Sequence, residues 1–342
     1  MSQPSGWSDV PGRRRPAPEP VGQTPRRQPG ATATAGPDVT APAGPDVATL
    51  LRRCRFPVAG EAVVCAVSGG ADSLAMLGLA VAAGCRAHVV HVDHGLRAEG
   101  EREAELVASA ARHFGASFEA AVVSVAPGPD LEARARRARY ASLPEGVLVG
   151  HTADDQAETV LLNLLRGAGA DGLSGMRATG GGLRSVCRPI LSLRRAETAA
   201  LVRSWGLDAV DDPSNADQRF RRNRVRLEVL PLLAEVAGRD PVPVICRTAS
   251  LLAEDADLLS LMAEGLDATD ARALRRVPRP LANRALRAWL REGESSERHP
   301  PSAGELERTW AVVSGEARAC ELAGGRRVSR HGGRLRVGQG RA

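Results

Sequence analysis

Residues 62–67, Ala-Val-Val-Cys-Ala-Val, form a short apolar run, partly β-branched and bounded by glycines, that reads as a buried strand. The run leads without a spacer into Ser68-Gly69-Gly70-Ala71-Asp72-Ser73, after which Leu74, Met76, Leu77, Leu79 and Ala80 continue as an apolar helix. A strand, a glycine turn and a helix N-terminus in succession make an anion site. Glycine lets backbone N–H groups approach oxygen atoms closely, and the helix dipole adds partial positive charge. The hydroxyls of Ser68 and Ser73 can donate further hydrogen bonds, and Asp72 is placed to hold a magnesium ion bridging phosphates.

Downstream the chain alternates between the two periodicities. Residues 86–92 read as a strand, 99–114 as a helix, 117–125 as a strand and 130–143 as an arginine-rich helix; 147–150 is a short strand and 152–166 a strongly patterned helix. This alternation predicts an α/β fold, a parallel sheet with helices on both faces. In such sheets ligands sit beyond the carboxyl ends of the strands, and the polar clusters at 68–73, 91–97 and 150–158 all fall at that edge. The Walker spacing GxxxxGK[ST] is absent, and the chain has no lysine, so all 46 of its basic residues are arginine. Ser-Gly-Gly-x-Asp-Ser after a buried strand resembles instead the pyrophosphatase loop (PP-loop) of enzymes that split ATP between its α and β phosphates. That resemblance implies the PP-loop ATP pyrophosphatase fold, of the adenine nucleotide alpha hydrolase type.

Three segments are expected. Residues 1–46 are rich in Pro, Gly and Arg, with ten of the 23 prolines in the first 45 positions. They carry almost no periodic apolar content and should form a disordered tail. Residues 47–238 would be the catalytic domain, with a boundary near Gly238-Arg239-Asp240-Pro241. Residues 239–342 read as a smaller, mainly helical domain, with amphipathic helices over about 246–266, 270–292 and 303–314 and an arginine-rich hairpin over 326–337. Within the catalytic part, 167–176 is a glycine-rich loop, and helices are expected near 195–205 and over 227–236.

Composition narrows the class. At 342 residues the chain can bury a sizeable core, which scarce aromatics (3%) make mostly Leu, Val and Ala. The net charge of +6 suits a polyanionic partner without demanding one. Six cysteines without a CxxC spacing argue against a zinc ribbon, an iron–sulfur cluster or a redox dithiol and read as reduced thiols. No apolar run approaches the roughly 18 residues that span a bilayer, so a soluble, cytoplasmic protein with no membrane partner is expected.

The chemistry concentrates in a few places. Gly150-His151-Thr152-Ala153-Asp154-Asp155-Gln156-Ala157-Glu158-Thr159 opens a helix, and Asp155 and Glu158, three apart, project from one face. Acids in a first turn are also ordinary dipole partners. Beside His151 and facing the nucleotide loop, the pair could cage a cationic amine and help deprotonate it. His91, Asp93 and His94 do not have the spacing of a closed zinc site and fit better as a strand end shaping an adenosine pocket. Arg136 and Arg139, at i and i+3 of a basic helix face, could reach phosphates. The run Arg219-Phe220-Arg221-Arg222-Asn223-Arg224-Val225-Arg226 would suit a phosphate backbone, with a charged helix start as the plainer reading.

Taken in order, these motifs resemble the bacterial tRNA(Ile)-lysidine synthase family. They include Ser68 to Ser73, His91-Val92-Asp93-His94-Gly95-Leu96-Arg97, Ala135-Arg136-Arg137-Ala138-Arg139-Tyr140, the run from Gly150 to Thr159, Asp171-Gly172-Leu173-Ser174-Gly175-Met176 and Arg222 to Arg226. The likeness is close over about residues 50–236 and loose beyond. It implies an ATP-dependent ligase that joins free L-lysine to C2 of the wobble cytidine in a CAU-anticodon isoleucine tRNA. By resemblance, Ser68, Gly69, Gly70, Ala71, Asp72 and Ser73 cradle ATP and Asp72 positions Mg2+. His151, Asp155 and Glu158 serve the lysine amine and the reacting centre, and Arg136 matches an active-site arginine. Arg139, Arg222, Arg224 and Arg226 would lie near phosphates or the activated base. A homodimer stays open. The long tail is not part of the family pattern, and from the resemblance the further C-terminal domain of the longer members is not expected here.

Three other readings are weaker. Sulfur insertion at a pyrimidine C2 usually relies on paired cysteines or a cluster, and no pairing is visible. An amidotransferase-type synthetase would need an ammonia source, and no glutaminase signature appears. A catalytically dead RNA-binding module would have no reason to keep the loop, Asp72 and the acidic pair together.

Overall fold

The computed structural model describes residues 45–93, 100–123, 134, 138, 141–180, 185–211, 217–291 and 301–339. The tail expected over 1–46 lies outside these except for its last two residues. His94 with residues 95–97, Arg136, Arg139 and residues 212–215 also lie outside the described residues.

Five strands form one parallel sheet: β1 (Ala62–Ala66), β2 (Arg86–Asp93), β3 (Ser117–Val122), β4 (Val147–Val149) and β5 (Val186–Cys187), in the order β3-β2-β1-β4-β5. β1 is central, with Cys65 aligned to Val89 on one side and to Leu148 on the other. The order reverses between β1 and β4, which opens a crevice at their carboxyl ends.

The α-helices that lie wholly among the described residues are α1 (Val47–Leu51), α2 (Ala71–Ala82), α3 (Gly100–His113), α4 (Ala153–Leu165), α5 (Ala170–Leu173), α6 (Arg195–Ser204), α7 (Arg221–Arg224), α8 (Leu230–Ala237), α9 (Val242–Ala263), α10 (Ala271–Arg276), α11 (Arg279–Arg291) and α12 (Ala303–Ser314). Alternation along β1 separates two cores. Val63 and Cys65, with Val67 beyond them, join Val89, Leu148 and the buried sides of α1, α2, α3 and α6 on one face. Val64 and Ala66 turn to the other face with Val90, Val147, Val149 and Val186, where Leu143 packs. The parallel sheet with helices, followed by a mainly helical region, is the architecture expected from the alternation.

Three elements differ in detail. The helix expected over 227–236 begins at Arg221 and passes through a π-helical turn, Val225–Val229, before α8. There the Leu230 N–H reaches the Val225 carbonyl, and Pro231 has no N–H with which to continue the ladder. The single helix expected over 270–292 is split into α10 and α11 at Pro278, whose ring drives Val277 to an extended conformation (ψ 158°). The glycine-rich loop at 167–176 contains the short helix α5.

The hairpin is present as β7 (Arg326–His331) and β8 (Arg334–Gln339), with β6 (Ala319–Glu321) added antiparallel to β7. Three residues are too few to display a period of two, so β6 left no trace in the pattern. Helices α10 to α12 and this small sheet share a core of their own around Leu274, Leu286, Leu290, Val313 and Val328. Arg177 pairs with Asp257, and Asp171 with Arg284 and Arg287, tying that region to the loops beside the large sheet. Among the described residues no helix is long and apolar enough to cross a membrane.

Candidate active site

The turn after β1 is built from the residues that the motif predicts. Gly69 has φ +84°, a left-handed conformation that a side chain would strain, and a Cβ there would come within 2.9 Å of Val210 Cγ2. The Ser73 hydroxyl donates to the Gly70 carbonyl at 2.8 Å and accepts the Ser68 N–H at 3.2 Å, so it braces the turn from inside. The Ser68 and Ser73 hydroxyls lie 3.4 Å apart. Gly70 is the N-cap of α2 and makes no side-chain cap, which leaves first-turn N–H groups available to an anion.

The second cluster, after β4, touches the first. Gly150 runs so close to α2 that a Cβ would sit 2.8 Å from both the Asp72 carbonyl oxygen and Ser73 Cα. Beyond it α4 starts with a capping arrangement in which Asp155 Oδ2 accepts the Thr152 N–H at 2.9 Å and the Thr152 hydroxyl at 3.1 Å. Asp155 Oδ1 faces the other way and accepts from Arg195 at 2.9 Å and Arg222 at 3.0 Å. Glu158, one turn on, is 0% exposed and is gripped by three guanidinium groups: Arg226 at 2.6 Å, Arg222 at 2.7 Å and Arg195 at 3.3 Å. Small residues allow this approach. Ala153 and Ala157 of α4 pack against Val225 and Leu230, and the same contact sets Arg222 and Arg226, at i and i+4, over Glu158. Arg224 points away, is exposed and pairs with Glu228 at 2.9 Å.

Arg195 links the two clusters. Besides Asp155 and Glu158 it donates through Nε to Asp72 Oδ2 at 3.3 Å, while Asp72 Oδ1 accepts the Thr198 hydroxyl. Burial, the largest influence on Asp72, raises its pKa above the ordinary value against the pull of Thr198 and Arg195. Burial also opposes ionisation of Asp155, but Arg195, Arg222, His151 and the Thr152 N–H together hold its carboxyl below the usual range. Arg194 completes the frame, with a two-point contact to Asp154 (2.9 and 3.1 Å) and a bond to Asp240. Beside Glu158 lies a cleft of about 210 Å³ lined by Asp154, Arg195, Arg226, Leu230, Pro231 and Asp240.

Asp72, Asp155, Glu158, Arg222 and Arg226 therefore meet in one charge-matched network, with His151 at the strand end beside it. Arg194, Arg195 and Thr198 belong to it as well and were not singled out by sequence reasoning. The start of α6 was legible near Arg195, and Glu197 three residues after Arg194 marks a capping pair. What no local pattern carried is the pairing of Arg195 with Asp72 across 123 positions. His91, near the end of β2, is buried with Nδ1 2.9 Å from the Val67 carbonyl.

Among the described residues no group of three or more His, Cys, Asp or Glu could hold a metal ion. Magnesium on a nucleotide needs only one or two carboxylates, since phosphates and water fill the other positions. The single carboxylate of Asp72, in the first turn of α2, fits that requirement. The described cysteines are unpaired, and burial pushes the Cys65 thiol up to about 12 and Cys246 up to about 11, against a role as nucleophiles.

A parallel sheet whose first strand ends in this glycine turn, with an acidic helix start after the neighbouring strand, defines an ATP-using PP-loop protein. The PP-loop domain family matches residues 46–233. The tRNA(Ile)-lysidine synthase of Nocardia farcinica is 44% identical over 248 residues, 68% of this chain and 77% of its own length. That of Thermobifida fusca is 37% identical over 305 residues, 82% and 92% of the two chains. Among solved structures, the U34-tRNA thiolase NcsA from Methanococcus maripaludis with its [4Fe-4S] cluster covers 61% of this chain and 78% of its own, at 16% identity and a TM-score of 0.49. The chain belongs to the tRNA(Ile)-lysidine synthase family, ligases that use ATP.

Proposed function

We propose that the protein ligates free L-lysine to C2 of the wobble cytidine of a CAU-anticodon isoleucine tRNA, consuming ATP and releasing AMP and pyrophosphate. The observation that carries this reading is the join between the phosphate turn and the buried acidic pair, made by one guanidinium, that of Arg195. An anion cradle and an ammonium-binding pair within one side chain's reach suit a reaction that first activates an oxygen with ATP and then admits an amine.

In this reading the N–H groups of the turn and the Ser68 hydroxyl hold the ATP phosphates. Cytidine O2 attacks the α-phosphorus, and the bond to the β-phosphate breaks. The ε-nitrogen of lysine then bonds to C2, and the C2–O2 bond breaks as AMP leaves with that oxygen. Magnesium, when bound, neutralises charge on the departing pyrophosphate, and Asp72 is the residue that would hold it. The cleft beside Glu158 offers Leu230 and Pro231 for the aliphatic stem of lysine, with Asp154, Glu158 and Asp240 for its ammonium. Asp155, kept ionised by its arginines, adds negative charge beside the ammonium, and His151 next to it is placed to take the proton that the ammonium must lose before attack. Arg222 and Arg226, and Arg136 and Arg139 from the basic run, are assigned to phosphates of ATP or tRNA. Residues 47–238, with Asp240 just beyond them, would carry this chemistry, and the rest of 239–342 would contribute to tRNA binding.

The test is incorporation of labelled lysine into unmodified isoleucine tRNA (CAU) with ATP, beside methionine tRNA (CAU). Selective labelling of the isoleucine tRNA is expected. AMP release on adding tRNA without labelling would keep ATP activation and reject lysine as the nucleophile.

A further inference from the structure

Far along the chain from the ATP turn, α10, the segment after α12 and the β7–β8 turn enclose an open cleft of about 500 Å³. Its lining has four cations, Arg272, Arg275, Arg318 and Arg330, with His331 beside them, and at the turn Gly332-Gly333 carries no side chain. Several other arginines of this region have carboxylate partners: Arg334 has Asp267, Arg279 has Glu307, and Arg284 and Arg287 share Asp171. Among the described residues no carboxylate pairs with any of the four arginines of the cleft. Two are braced by carbonyls, Arg275 by Ala271 at 3.2 Å and Arg330 by Val313 at 3.0 Å, while Arg272, Arg275 and Arg318 are exposed.

Four like charges held together at a surface raise each other's energy unless an anion shares the space. The cleft offers no aromatic platform beyond His331 and no apolar floor, so a base would find little to stack on, whereas phosphates would find several forked donors. We infer that this cleft is a docking surface for the phosphate backbone of RNA, contacted without regard to sequence. The inference rests on the reading of the protein as a tRNA-modifying enzyme, and it places a grip on the substrate outside the reaction centre.

The test uses the full chain and unmodified isoleucine tRNA (CAU), with affinity measured by fluorescence anisotropy over a range of salt concentrations. The triple variant Arg272→Ala, Arg275→Ala, Arg318→Ala removes exposed side chains that make no ion pair, and Arg318→Glu is a single charge reversal. The triple variant should bind at least about 10-fold more weakly, with the slope of log affinity against log salt reduced by about 2–3. Arg318→Glu should weaken binding in the same direction, and ATP binding by equilibrium dialysis should be unchanged in both. Wild-type affinity and slope in both variants, with tRNA bound normally by the parent, would overturn the docking surface alone. A parent chain that binds no tRNA would overturn the enzyme reading with it.

Discussion

Asp72 and Glu158, on helices that begin at neighbouring strand ends, are joined through the one guanidinium of Arg195, which lies 3.3 Å from each. A third bond, to Asp155 at 2.9 Å, uses the remaining nitrogen of the fork. Lysine has a single point of charge and cannot span three carboxylates. Arg195→Lys should therefore behave nearly as badly as Arg195→Ala. We expect either to cost about 1–3 kcal/mol of stability in urea unfolding, below the usual figure for a broken buried pair because Glu158 keeps Arg222 and Arg226. A lysine variant as stable and active as the parent would show that the bridge is incidental.

The two ends of that bridge should fail differently. Asp72→Ala removes the carboxylate in the first turn of α2 and should abolish tRNA-dependent AMP release. Glu158→Gln keeps the shape of the side chain while removing the charge that three arginines and the adjoining cleft share. It should raise the KM for lysine by about 10-fold or more while leaving adenylation measurable. Equal loss of AMP release and lysine transfer in the Gln variant would remove the division of labour.

Much of this was readable in the chain because it is local. The strand, turn and helix over residues 62–82 declare themselves by adjacent periodicities and two glycines, and α4 by its acidic first turn. Residues whose roles depend on distant partners were not readable. Arg194 and Arg195 look like an ordinary basic helix start, and only folding brings them against Asp154, Asp72 and Glu158. Arg224 carries the same local signal as Arg222 and Arg226, and helix phase alone separates it from them, turning it toward Glu228. The π turn at Val225–Val229 shifts that phase in a way that a 3.6-residue period does not anticipate.

Gly150 is required by contact rather than by conformation. A Cβ at this position would lie 2.8 Å from the Asp72 carbonyl oxygen and from Ser73 Cα, both backbone atoms that cannot rotate aside. Gly150→Ala should push α2 from the strand end, with a cost of about 1–3 kcal/mol. ATP affinity should fall with it, because the shifted helix carries the phosphate turn. An Ala variant that binds ATP like the parent in equilibrium dialysis would mean that the two strand ends can separate without harm.

The Asp155 cluster predicts a direction for the acid dependence of stability. Its carboxyl is held below the ordinary range in the folded chain, so the unfolded chain binds a proton at higher pH than the folded one. The stabilisation is then fully present above the unfolded pKa of about 4 and is lost as pH falls through the lower folded value. Asp155→Asn removes both the charge that Arg195 and Arg222 pair with and one acceptor of the Thr152 cap. The gap in unfolding free energy between parent and variant should stay constant from about pH 5 to 8 and narrow only below about pH 4. A gap that narrows already between pH 8 and 6 would mean that a group other than Asp155 governs the network.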